Sequence, residues 1–97
     1  MDPNETIQRL REALPDLCRR FAVARLGVFG SVARGTAGPG SDVDILVEFD
    51  GPATLDGFMG VKAELENLLG VQVDLATPRT LRPSLLSLVM KDLLDVA

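Results

Sequence analysis

The chain has 97 residues, a net charge of −4, one cysteine and no histidine, with 46% hydrophobic and 25% charged residues. That is room for one small globular domain, expected over residues 1–97, and it excludes an intrachain disulfide framework, a zinc finger and a histidine-dependent hydrolase. The acidic balance argues against direct DNA binding, no uncharged apolar run nears the ~18–20 residues of a membrane span, and an acidic start (Met1 to Glu5) with a lone thiol points to a cytoplasmic chain.

Residues 4–21 read as an amphipathic helix through Ile7, Leu10, Leu14, Leu17, Cys18 and Phe21, so Cys18 is expected in the core. Pro15 inside it predicts a kink or a split. Six of the ten basic residues (Arg9, Arg11, Arg19, Arg20, Arg25 and Arg34) fall in the first 34 positions. They form either a solvated helix face or a patch for an anionic ligand or acidic partner.

Residues 23–29 have strand character and run into Gly30-Ser31-Val32-Ala33-Arg34-Gly35, which starts a short helix. A loop rich in glycine and proline follows up to Ser41. Residues 42–49 are the clearest strand: Val43, Ile45 and Val47 share one face, and Asp42, Asp44 and Glu48 the other, interrupted by Leu46. Residues 55–69 return to helical period, with Gly70 at the position of a C-terminal cap. Val71, Val73 and Leu75 alternate with polar or small residues as a third strand. A last helix is expected from about Thr80, with Pro83 tolerable only in its first turn. Leu93 to Ala97 either frays or adds a short strand. Strands interleaved with helices predict an α/β (α+β) fold, a small mixed sheet of three to four strands packed with helices.

The informative constellation is Gly30-Ser31, ten residues, then Asp42-Val43-Asp44. Carboxylates at i and i+2 on a strand point the same way, with Cα atoms about 6–7 Å apart. Such like charges repel unless something offsets them, and a divalent cation does so directly. Asp74 lies opposite Val71 and Val73 on its own strand. If the two strands are neighbours, three carboxylates emerge on one face, enough for two metal ions about 3.5–4 Å apart that orient a triphosphate and activate a hydroxyl. Gly30 removes a Cβ from the approach, the N–H groups and hydroxyl at Ser31 suit phosphate oxygens, and Arg34 could add a bidentate contact.

These residues resemble the nucleotidyltransferase superfamily related to DNA polymerase β, whose signature is Gly-Ser, ten residues, Asp-x-Asp. The closer resemblance is to its minimal branch, MNT, in the stretches Phe29 to Gly35 and Ser41 to Val47, with Val73-Asp74-Leu75 similar to the third-carboxylate strand. The resemblance implies a polymerase β-like fold and transfer of a nucleoside monophosphate, AMP from ATP, to a hydroxyl with release of pyrophosphate. It implies metal ligation by Asp42, Asp44 and Asp74, with Asp74 also helping to deprotonate the acceptor hydroxyl. Gly30 and Ser31 would hold the β- and γ-phosphates, and Arg34 stands at the family's arginine position. Two Mg²⁺ ions are implied, with Mn²⁺ as the alternative. The chain has no room for an acceptor domain, so a partner protein or a second copy must present the acceptor. The resemblance implies a HEPN toxin as that partner, adenylylated by this chain as its antitoxin. Two other readings stand beside it: a non-catalytic antitoxin acting by contact alone, and a transferase for a small hydroxylated molecule.

Overall fold

A computed structural model describes residues 2–38 and 40–96. Eight elements follow in chain order: α1 (Pro3–Phe21), β1 (Val23–Phe29), α2 (Gly30–Arg34), β2 (Val43–Phe49), α3 (Leu55–Leu69), β3 (Val73–Ala76), α4 (Pro83–Asp92) and β4 (Leu94–Asp95). The four strands form one mixed sheet in the order β3-β2-β1-β4. The pairs β1–β2 and β1–β4 are antiparallel, and β2–β3 is parallel. The parallel pair requires a crossover, which α3 supplies.

Helix α1 opens with the Asp2 side chain accepting the Asn4 N–H, and Pro3 costs nothing where no helical N–H partner exists. It runs unbroken through Pro15, so the expected split does not occur. Thr6 is buried, and its hydroxyl donates to the Asp2 carbonyl. Cys18, expected in the core, is exposed. Each helical residue advances about 100°, and the stripe facing the sheet is centred on Leu10 and Leu17, which turns their neighbour Cys18 outward.

Helices α1 and α3 cover one face of the sheet. Leu10 and Leu17 of α1 and Val61, Leu65 and Leu69 of α3 share a single core with Val28, Val43, Ile45, Val47 and Val73 of the strands. Burying each such side chain contributes about 1.5–3 kcal/mol, which makes this layer the main stabilising term of the fold. Thr54 caps α3 at its start by accepting the Gly57 N–H, and Gly70 ends it in the left-handed conformation, as its position in the sequence predicts.

Helix α4 begins at Pro83, not near Thr80. Arg82 is extended, as the residue before a proline prefers, and Thr77 and Thr80 close a turn through their hydroxyls. The end of the chain does add a strand: β4 pairs with Gly27 and Val28, while Ala97 lies outside the described residues. Among the described residues no helix is long and apolar enough to cross a membrane.

Candidate active site

The strand register decides what the face of the sheet opposite α1 and α3 carries. Phe29 pairs with Asp44, Gly27 with Leu46, and Arg25 with Glu48 across β1–β2. Asp44 pairs with Asp74, and Leu46 with Ala76, across β2–β3. Side chains of paired residues share a face, so this face has an acidic row at Asp44 and Asp74, an apolar row at Leu46 and Ala76, and an ionic row at Glu48 and Arg25. Val43, Ile45 and Val47 point the other way, into the core.

The acidic row is electrostatically loaded. The Asp44 carboxyl is held above its ordinary range, first by burial and then by the charge and hydrogen bonding of Asp74. The charge of Asp42 adds to this, and Arg34 partly offsets it. Asp42 precedes β2 and opens onto a broad cleft of about 780 Å³ that it lines with Glu66 and Gln72. Asp44 and Asp74 therefore sit together, while Asp42 lines a cleft that includes neither of them and acts on Asp44 through its charge. Among the described residues no three acidic, histidine or cysteine side chains are drawn into a closed metal cluster. A second cleft, of about 480 Å³ and lined by Phe49, Thr77 and Arg79, lies at the opposite end of β2 and touches none of these carboxylates.

Gly30 sits directly against Asp44. Its φ is +72°, and a Cβ there would collide with Asp44 Oδ2. The chain turns from β1 into α2 at this point, and no side chain caps α2, which leaves its first N–H groups to outside acceptors. The Ser31 carbonyl is engaged by the N–H of Thr36 at 2.9 Å, which fixes the short helix. Gly35 closes α2 in the left-handed conformation.

Arg34 ends α2 and donates to Asp92 of α4 at 2.6 Å. Asp92 was not among the residues marked by sequence, because 58 positions separate the pair and no local pattern links them. The other early arginines are engaged as well. Arg9 pairs with Glu5, Arg19 with Asp16, Arg20 with Asp16 and Glu64, and Arg25 with Glu48 and Asp95, while Arg11 donates to the Val96 carbonyl. The early cluster of basic residues is thus a solvated, internally paired surface and not a free anion patch.

The donor set near Gly30 consists of carboxylate oxygens, which suit a hard divalent cation such as Mg²⁺ or Mn²⁺. The charge crowding at Asp44 is of the kind such an ion relieves. The nucleotidyltransferase domain model matches residues 10–96. The chain belongs to the nucleotidyltransferase domain family. Its enzymatic class is nucleotidyl transfer, and its sheet and helices have the polymerase β-like form.

This nucleotidyltransferase is similar to three known proteins. Protein adenylyltransferase MntA of Thermococcus cleftensis is 41% identical over 81 residues, covering 84% of this chain and 82% of that protein. The solved structure of a candidate minimal nucleotidyltransferase is 45% identical with a TM-score of 0.80, covering 97% of this chain and 95% of that one. A chain from the complex of a tri-AMPylated HEPN toxin of Shewanella oneidensis with its MNT antitoxin has a TM-score of 0.67 at 19% identity, covering 94% of this chain and 71% of that one. At that identity the likeness is one of fold.

Proposed function

We propose that this nucleotidyltransferase is an antitoxin that transfers AMP from ATP to a hydroxyl of a HEPN-type toxin. The observation that carries the reading is the register pairing of Asp44 with Asp74 beside Gly30, which sets two carboxylates against a backbone without a Cβ. The 41% identity to a protein adenylyltransferase supports AMP as the transferred group. The MNT antitoxin solved with its AMPylated HEPN toxin supports the acceptor class.

In this reading residues 1–97 act as one catalytic domain. Gly30 lets the backbone approach the β- and γ-phosphates, and Ser31 contributes its N–H and hydroxyl to their oxygens. Arg34, held by Asp92, adds positive charge on the same side. Asp42, Asp44 and Asp74 would hold Mg²⁺, or Mn²⁺, which when bound neutralises triphosphate charge and acidifies a nearby hydroxyl. Asp74 is the more exposed carboxylate of the pair and takes the proton of the acceptor hydroxyl. The hydroxyl oxygen forms a bond to the α-phosphorus, the bond from that phosphorus to the β-bridging oxygen breaks, and pyrophosphate leaves. A reaction of this kind needs positioning and charge neutralisation more than covalent help, which suits a chain without histidine.

The test is incubation with ATP labelled at the α-phosphate, Mg²⁺ and the product of the gene beside the chain, expected to be a HEPN-type protein. Label is expected on the acceptor with wild type and not with Asp44→Ala. Equal labelling by the variant would overturn the assignment. Full inhibition of the acceptor by an Asp42→Asn/Asp44→Asn double variant would show neutralisation by contact alone.

A further inference from the structure

Helix α4 is built unlike α1 and α3. It contributes no fully buried residue, and Leu85, Leu88 and Met90 are 48%, 58% and 45% exposed. Leu85 and Leu88 are three apart and adjoin on one side of the helix. Lys91 follows Leu88 by one turn, and Arg82 stands just before the first turn. The stretch from Thr77 to Lys91 carries Arg79, Arg82 and Lys91 and no acidic residue, in a chain whose net charge is −4. All three cations are exposed, and among the described residues no carboxylate pairs with them, although most other arginines are paired. The result is an apolar ridge with a basic residue at each end, Arg82 and Lys91; Arg79 lies before the helix, in the cleft beside Phe49 and Thr77.

This ridge is fastened to the catalytic elements. Arg34 of α2 holds Asp92 at the end of α4, and Leu93 just beyond it packs over Gly27 of β1. A protein seated on α4 would therefore lie beside the strand turn that carries Gly30 and Ser31.

Charge argues against a second copy of the chain as the occupant. An antiparallel two-fold pairing of α4 on Leu85 and Leu88 sets Leu85 opposite the partner copy's Leu88, and in that register Arg82 faces Lys91. A parallel two-fold pairing sets each cation against itself. Both symmetric arrangements place like charge on like, with no carboxylate on the helix free to offset it.

We infer that the α4 face around Leu85 and Leu88 is the docking surface for the acceptor protein, and that it receives an apolar ridge flanked by carboxylates on that protein. The inference rests on the proposed transfer to a protein hydroxyl. The acidic rim steers approach and sets register, while the leucines supply the desolvated centre of the contact.

The experiment measures AMP transfer to the HEPN-type acceptor as a function of acceptor concentration for wild type, Leu85→Ser/Leu88→Ser and Arg82→Glu/Lys91→Glu. Because these side chains are exposed, both variants should keep the wild-type circular dichroism. The KM for the acceptor is expected to rise about tenfold or more in each, with kcat changed less than about twofold. The charge-reversed variant should also lose most of the salt dependence of association. An unchanged acceptor KM in both variants overturns the docking surface while leaving the transfer reading intact. No transfer by wild type overturns the transfer reading itself. Sedimentation showing a wild-type dimer that Leu85→Ser/Leu88→Ser dissociates would assign the face to a second copy and overturn the inference.

Discussion

Asp44 and Asp74 are register partners across the parallel β2–β3 pair, so two carboxylates share one site although 30 positions separate them. Neighbouring strands lie about 4.8 Å apart, which is close enough for each charge to be felt by the other. Burial and Asp74 together hold the Asp44 proton more tightly than usual. The fold thus tolerates a repulsion that stability alone would not select, as expected where a site is kept for its ligand.

Replacing Asp44 by Asn should separate function from stability. Nucleotidyl transfer is expected to fall on the order of 10²–10³-fold, as when a group that stabilises developing charge is lost. Without added metal, the same variant should melt higher than wild type. Relief of roughly 0.5 kcal/mol after solvent screening corresponds to roughly 2–4 °C for a domain of this size. Calorimetry with and without Mg²⁺ checks both halves, since added Mg²⁺ should stabilise wild type more than the variant.

The pH dependence follows with a definite sign. The Asp44 carboxyl titrates above its ordinary value of 3.8 in the folded chain. Between that value and its raised folded value, the native state holds a proton that the unfolded state has released. This contribution to stability is fully present below the ordinary value and is lost as pH rises through the folded one. Asp16 has the opposite sign: its hydrogen bond with Arg20 lowers its pKa, so its contribution is lost as pH falls. Urea midpoints of the metal-free protein between about pH 3.5 and 7 should show wild type losing ground to Asp44→Asn as pH rises.

Gly30→Ala should be costly at a position with no apolar contact to lose. A left-handed φ disfavours any Cβ, and this one would strike Asp44 Oδ2. The expected destabilisation is about 1–3 kcal/mol, together with loss of transfer. Denaturant unfolding and the labelling assay read the two effects. Gly35→Ala shares the left-handed φ but meets open space, so it should carry the conformational cost without the collision.

Cys18 provides a check on the helix rotation. Because it is exposed, a thiol reagent should modify it completely in the folded protein. Cys18→Ser should change the unfolding free energy by less than about 0.5 kcal/mol. A thiol that reacts only on unfolding would place the residue back on the apolar stripe.

Most elements were legible from period and punctuation. Residues 23–29 and 55–69 form their expected strand and helix, and Gly70 ends the latter because only a cap without a Cβ adopts that turn freely. The departures fall where the sequence signal is ambiguous. Cys18 follows the apolar spacing as well as its neighbours do, and only the rotation of α1 on the sheet turns it out. The leucines of α4 have the period of a buried helix, yet the sheet offers that helix little to lie against.

The local sequence by itself determined which segments become strands and helices, and which side of β2 and β3 carries Asp44 and Asp74, because alternation and capping act over a few residues; the starts of β2, β3 and α4 moved by one to three residues in the fold. It also supplied the Gly30-Ser31 and Asp42-x-Asp44 spacing that marks the chemistry. Tertiary structure alone decided that β3 lies beside β2 in the register that matches Asp74 to Asp44, and that Asp92 reaches Arg34. Those contacts join residues 30 and 58 positions apart. Only packing against a common core can select such partners, since no local spacing encodes them.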